Sequence, residues 1–147
     1  MTAVIRAPGE GERHAAGPAE VVLKATADET GGALFLAEAT VPPGSPTPPP
    51  HRHERMYDMF WVLEGILTVR VGDDTRDAGP GTFVCVPPGT LHTFANDGDA
   101  PVRFLNLSTP GGWERYMRDL AEELETGRPP AEVFARLSER HDVAFER

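Results

Sequence analysis

Short apolar segments separated by turn-forming residues constrain this sequence more than any other feature. Between residues 20 and 108, roughly eight such segments alternate with clusters of Gly, Pro, Asn and Asp about every ten residues, which is typical of an all-β sandwich or barrel. In one of them, Leu34 and Leu36 fall on one face of the predicted strand and Phe35 and Ala37 on the other. Because both faces are apolar, a sandwich or barrel is favoured over a solvated sheet.

We expect three regions along the chain. Residues 1–18 contain Gly, Pro and charged residues without a stable hydrophobic period, so we expect a loose N-terminal segment there. Residues 19–108 are expected to form the barrel. Residues 109–147 are expected to form a helical extension that packs on it.

The period of the apolar residues changes after Ser108. Thr109 and Pro110 suit the N-cap and the first position of a helix. A second helix is predicted from Pro130, and a last extended piece from Asp142. Residues recurring at i, i+4, i+7 and i+11 form one face of the first helix, namely Trp113, Met117, Leu120 and Leu124.

Charge and cysteine content exclude several classes of function. The 147 residues include 14 basic and 23 acidic side chains, for a net charge of −9, which repels phosphate backbones and makes nucleic acid an unsuitable partner. The single cysteine, Cys85, excludes an internal disulfide framework. No apolar segment approaches the length of a membrane span or resembles a secretion signal, so we expect no membrane partner and a cytoplasmic location.

The chain carries a His-x-His pair, His51 and His53, directly after a proline-rich segment. Side chains two residues apart on a strand point to the same face, about 7 Å apart along the backbone, so both rings can tilt onto one ion. Asp58 follows after an odd number of residues, which would place it on the opposite face. A bulge or loop between Glu54 and Tyr57 would restore its phase.

A third histidine lies in a second ordered segment. Gly81, Pro87, Gly89, His92 and Asn96 have a spacing that chance would give in well under about one chain in a thousand at ordinary residue frequencies. A single exposed histidine usually has no special role, but three or four such donors that converge can hold a transition metal. We therefore predict one divalent metal ion, with a ligand set that combines both segments: His51, His53, Asp58 and His92.

These two segments resemble the two conserved motifs of the cupin superfamily. The first motif is matched by Gly44, His51, His53, Asp58 and Gly65, with two departures. The gap between the first glycine and the first histidine is one residue longer, and aspartate replaces the usual glutamate. The second motif matches at every fixed position. The flanking strands and helical tail resemble single-domain, quercetin-dioxygenase-like cupins of bacteria.

The resemblance implies a double-stranded β-helix, or jelly-roll, barrel with a C-terminal helical extension, often assembled as a homodimer. It also implies a metal held by the four side chains named above. In the family this metal is Fe, Mn, Ni, Zn, Co or Cu, and affinity alone does not select among them. Because aspartate is shorter than glutamate, Asp58 is either a direct ligand or a neighbour of a metal-bound water. Glu54 is an alternative ligand that the spacing favours less than Asp58. If neither carboxylate binds, the three histidines hold the ion and leave open positions, which is itself a catalytic arrangement.

Three functions are compatible with such a site. The first is an oxygenase that resembles quercetinase and acts on a small aromatic or polyketide-like molecule, with Asp58 as general base if burial raises its pKa. The second is a non-redox cyclase, isomerase or decarboxylase that uses the metal as a Lewis acid. The third is a small-molecule-binding barrel without turnover. The predicted substrate pocket consists of Tyr57, Phe60, Val62, Phe94 and Phe104.

Overall fold

The computed structural model describes residues 2–146, which form two facing antiparallel sheets and three helices. The helices are α1 (Ala27–Thr30), α2 (Trp113–Glu125) and α3 (Pro130–Arg140). The strands are β1 (Glu12–Ala16), β2 (Ala19–Ala25), β3 (Phe35–Val41), β4 (His51–Arg52), β5 (Tyr57–Glu64), β6 (Leu67–Val71), β7 (Asp74–Ala78), β8 (Phe83–Val86), β9 (His92–Ala95), β10 (Val102–Thr109) and β11 (Ala144–Phe145).

The strand order confirms the predicted jelly-roll barrel. One sheet has the order β1-β2-β3-β10-β5-β8 and the other the order β11-β4-β9-β6-β7. Alternate residues of β3 are buried, and the long central strand β10 pairs with β3 on one side and β5 on the other. The side chains between the sheets form the core, in which Phe35, Phe104 and Val62 are at most 2% exposed.

The expectation of a loose segment over residues 1–18 is wrong for Glu12–Ala16. These residues form the edge strand β1, which pairs with β2 through a turn at Gly17. The strand has no apolar face because it lies at the sheet edge, where backbone hydrogen bonds rather than burial hold it. A salt bridge from Arg118 to Glu12 ties β1 to α2.

Helix α2 begins at Trp113 and not after Thr109, as the capping pattern predicted. Gly111 passes so close to the backbone carbonyl of Leu34 that a Cβ atom would lie 2.7 Å from the oxygen, so the chain is still turning there. Buried Glu114 then accepts hydrogen bonds from the backbone N–H groups of Ala27 (2.8 Å) and Gly112 (3.1 Å). Tertiary contacts therefore set this helix start, which local capping residues did not reveal.

The C-terminal extension packs against the barrel and ends as one of its strands. Tyr116 of α2 and Val133 and Leu137 of α3 form a second small core with Val143. The extended piece predicted from Asp142 is confirmed, since β11 pairs with β4 and places Phe145 opposite His51. None of the helices within residues 2–146 has the length and apolar character needed to cross a bilayer.

Candidate metal centre

Three strands from the two sheets, and the segment that follows one of them, bring four potential ligands together. His51 on β4 lies opposite His92 on β9 in the sheet register, and His53 follows the end of β4. Asp58 comes from the facing sheet, on β5. One possible ligand atom from each of these residues lies within 4.8 Å of the others, and all four side chains are buried. The predicted ligand set therefore forms one cluster.

Backbone carbonyls fix the orientation of all three imidazole rings. A ring nitrogen that faces a carbonyl oxygen can only donate, so a neutral ring held this way keeps the lone pair on its other nitrogen, Nε2. The three Nε2 lone pairs are thus available to a metal, as in sites where outer hydrogen bonds orient the ligands. The Nδ1 distances to oxygen are 2.9 Å for His51 to Pro49, 2.7 Å for His53 to Asp142 and 3.0 Å for His92 to Thr90.

The Asp58 carboxylate completes the cluster. Its Oδ2 atom lies 2.9 Å from Nε2 of His92 and 3.4 Å from Nε2 of His53. Its Oδ1 atom accepts a hydrogen bond of 2.8 Å from the side chain of Asn106 on β10. A carboxylate and several ring lone pairs at this distance repel one another unless a proton or a cation lies among them.

The irregular turn predicted from the odd spacing lies between β4 and β5. It carries the chain to the facing sheet, from which Asp58 points back toward the histidines. Strand β4 ends at Arg52 and β5 begins at Tyr57. The Asp142 carboxylate accepts hydrogen bonds from the backbone N–H groups of the three residues at the turn, Glu54 (2.7 Å), Arg55 (3.0 Å) and Met56 (3.1 Å). The Glu54 side chain is exposed and lies outside the cluster, so the less favoured alternative, Glu54 as a ligand in place of Asp58, is wrong.

Burial and mutual charge set the protonation of the metal-free cluster. Burial and the neighbouring His92 lower the pKa of His51 to about 4. Burial also disfavours the charged form of His53, but the adjacent Asp58 carboxylate outweighs it and raises the pKa of His53. For Asp58, burial is outweighed by His53 and His92, and the pKa lies below its ordinary value. The raised pKa required of Asp58 as a general base is therefore not found.

The residues present fit a transition metal. Within the described residues, Nε2 of His53 is buried and has no hydrogen-bond partner, a costly state that a coordinated cation would relieve. Three imidazole nitrogens and an ionised carboxylate are suitable donors for several divalent ions, so the donor set does not select one. Asp58 stays ionised at neutral pH and is placed among the ring nitrogens, as a direct ligand would be.

Aromatic residues beneath the cluster pack tightly against one another. The ring centroids of Phe60, Phe94 and Phe104 lie 5.4–5.8 Å apart, and Phe60 lies 6.5 Å from His92. Val62 is fully buried beside them. These four members of the predicted pocket belong to the core or pack against it, and Phe60 joins them to the cluster.

Tyr57, the fifth member of the predicted pocket, faces away from the cluster. It precedes Asp58 on β5 and is 47% exposed. Since neighbouring residues on a strand point to opposite faces, the inward position of Asp58 turns Tyr57 to the outer surface. The prediction that Tyr57 belongs to the substrate pocket is therefore wrong.

Sequence reasoning missed two residues that support the cluster, Asn106 and Asp142. For Asn106 the sequence did offer an indication: it is a polar residue two positions from buried Phe104 on β10, and it therefore points inward. The backbone carbonyl of Asp142 accepts the hydrogen bond from the ring of His53, which lies 89 residues earlier in the chain. Nothing in the local sequence predicts that contact. Trp113, expected mainly as a packing residue, lies 4.9 Å from the ring of His53 in an edge-on arrangement.

Fold and site together define a jelly-roll protein with a buried three-histidine, one-carboxylate cluster suited to a single metal ion. A cupin-domain family model matches residues 37–108, which contain all four side chains of the cluster. This chain belongs to the cupin superfamily.

Individual relatives are more distant. The chain is 27% identical over 117 residues to quercetin 2,3-dioxygenase of Bacillus subtilis, covering 80% of this chain and 34% of that enzyme. It is 33% identical over 75 residues to an uncharacterised protein of Methanocaldococcus jannaschii, covering 51% of this chain and 59% of that protein. The chain thus spans about a third and about three-fifths of these two relatives.

The structure of KdgF from Halomonas sp. has a similar fold. It superposes with a TM-score of 0.68 at 19% identity and covers 78% of this chain and 99% of its own. At this level of identity the likeness concerns the fold alone.

Proposed function

We propose that this protein is a metal-dependent enzyme that acts on a small aromatic or carbonyl compound, as an oxygenase similar to quercetin 2,3-dioxygenase. One observation carries the proposal, namely the convergence of three oriented Nε2 lone pairs and one ionised carboxylate at a buried point. The similarity to the Bacillus subtilis enzyme over 80% of this chain supports the choice of reaction class.

The charge of the site favours a substrate that binds through an anionic oxygen. Three neutral histidines and one carboxylate offset only half the charge of a divalent ion, which leaves a net positive site in a low-dielectric interior. A redox-active metal held there would supply Lewis acidity toward an enolate or phenolate and electron transfer toward O2. Asp58 serves in this scheme as a ligand, while Phe60 and Phe94 keep water from the floor of the site.

A non-redox reaction is the second candidate, because the pKa of Asp58 is lowered. An ionised carboxylate that charged neighbours stabilise is a weak base for a phenol proton. A Lewis-acid reaction on an already acidic carbonyl compound needs no such base.

Oxygen consumption distinguishes these candidates. Protein loaded separately with Fe²⁺, Mn²⁺, Co²⁺, Ni²⁺ or Cu²⁺ is incubated with a panel of flavonols and 1,3-diketones, and His92→Ala prepared identically is the matched control. We expect O2 uptake equal to substrate loss with at least one metal, and none in the control. Turnover that continues under strict anaerobiosis would contradict the oxygenase and support the Lewis-acid reaction. Binding without turnover under every condition would contradict both.

We also propose that the chain forms a homodimer through the outer face of the six-stranded sheet. Trp61 and Phe83 stand next to each other there, 46% and 54% exposed, with Leu105 opposite Trp61 on the adjacent strand. Exposed aromatic clusters of this kind are typical of interface cores. By light scattering, we expect wild type and the control Ile5→Glu to be dimers and Trp61→Glu to be monomeric. A monomeric wild type at micromolar concentration would disprove this assembly.

A further inference from the structure

The segment that follows α3 lies along β4, the strand that carries the first residue of the histidine pair. Phe145 pairs with His51 in the β4–β11 ladder, and the N–H of Glu146 donates to the carbonyl of Pro50 at 2.8 Å. The ring of Phe145 lies 5.7 Å from that of His51. Through these contacts the C-terminal extension becomes a wall of the metal centre rather than a cover elsewhere on the barrel.

Asp142 makes the most specific contacts of this segment. Its backbone carbonyl accepts the hydrogen bond from Nδ1 of His53 at 2.7 Å, which fixes the ring orientation. Its carboxylate accepts three hydrogen bonds from the backbone N–H groups of Glu54, Arg55 and Met56. These residues form the turn that leads into β5 and so positions Asp58. One residue thus holds the ring of one candidate ligand and the backbone that presents another.

We propose that Asp142 is a positioning residue of the metal centre, through which the C-terminal extension sets the affinity of the cluster for its ion. This inference rests on the proposed metal-dependent function. A substitution keeps the backbone carbonyl of residue 142 but removes the carboxylate. Three backbone N–H groups then lose their acceptor, and the carbonyl is no longer held in position beside His53. Outer contacts of this kind typically change metal affinity by about 10–100-fold.

The helices hold Asp142 in place from the other side. The neighbouring His141 bonds to Asp119 of α2 at 2.9 Å, and Val143 is buried among the residues between the two helices. Trp113 fills the space beside the His53 ring, at the edge of a cleft of about 340 Å³ that Asp142 also lines. Because ligand orientation and docking of the extension share these contacts, each should stabilise the other.

Metal affinity in folded variants tests the role of Asp142. The dissociation constant for Zn²⁺ is measured by competition with a chromophoric chelator in wild type, Asp142→Ala, Asp142→Asn and the matched control Glu139→Ala, an exposed acidic residue near the end of α3. We expect Asp142→Ala to bind about 10–100-fold more weakly, Asp142→Asn to lie between it and wild type, and the control to be unchanged. Visible absorption of the Co²⁺-loaded proteins should change in Asp142→Ala, because the ring of His53 is no longer fixed.

Melting temperatures of the metal-free proteins separate positioning from folding. If Asp142→Ala is unfolded without metal, Asp142→Asn carries the test, since its amide oxygen still accepts one or two of the three hydrogen bonds, depending on which carboxylate oxygen it replaces. A folded Asp142 variant with wild-type Zn²⁺ affinity and an unchanged Co²⁺ spectrum would overturn the inference and leave the proposed function intact. A wild-type protein that binds no metal would instead remove the proposed function itself.

Discussion

Replacing His92 with alanine is expected to weaken Zn²⁺ binding by more than about 100-fold, since even changes outside the ligand shell cost about 10–100-fold. His92 contributes one of three oriented Nε2 atoms and lies 2.9 Å from the Asp58 carboxylate. Its removal takes away a donor and leaves a cavity in a buried site. Chelator competition measures the affinity, and the same loss is expected for His51→Ala, whose ring is fixed in the same way by Pro49.

The matched control for these variants is His14→Ala. This histidine lies on the edge strand β1, paired with Glu12 and outside the cluster. It should bind Zn²⁺ as wild type does. If His92→Ala and His51→Ala both kept the wild-type affinity, the metal site would not be the cluster described above. If His14→Ala lost affinity equally, the loss would reflect general destabilisation.

Replacing Asp58 with asparagine is expected to lower Zn²⁺ affinity at pH 7.5 by more than about tenfold and to flatten its dependence on pH. In the metal-free wild type, Asp58 raises the pKa of His53, so a proton competes with the metal and affinity rises as pH increases through that raised value. In the variant the burial of His53 remains but the carboxylate is gone, so the pKa of His53 falls. Proton competition then ends at a lower pH.

Titrations from pH 6 to 8 check both parts of this prediction. Asp58→Glu is the control, because it keeps the charge, and we expect it to retain most of the pH dependence. An Asp58→Asn protein with undiminished affinity would show that Asp58 is not a ligand. A weakened protein whose affinity still rose with pH as steeply as wild type would show that Asp58 does not control the proton on His53.

The ligand cluster was predictable because its geometry follows from local rules. His51 and His53 are two residues apart in an extended segment and so share a face. The odd spacing to Asp58 required an irregular turn, which is present. The spacing around His92 matched a known motif. Each inference needed only residue type and the period of a strand, together with the resemblance of two segments to one family.

The parts that sequence reasoning missed depend on contacts between distant segments. The start of α2 is set by the close passage of Gly111 under the backbone carbonyl of Leu34. The pKa of Asp58 is lowered because two neighbouring histidines outweigh the effect of its burial. Tyr57 was assigned to the substrate pocket although strand alternation, applied from Asp58, turns it outward. No pattern in the neighbouring sequence indicated the role of Asp142, because its hydrogen-bond partners lie 86–89 residues earlier in the chain.

The contact between His53 and Asp142 also bears on the order of events during synthesis. A ribosome delivers the chain from its N-terminus, at about 5–20 residues per second. All four side chains of the cluster are therefore made before residue 142, which is the 89th residue added after His53. A nascent barrel would hold a loosely oriented His53, so we expect stable metal loading to follow the docking of the last strand rather than the closure of the barrel.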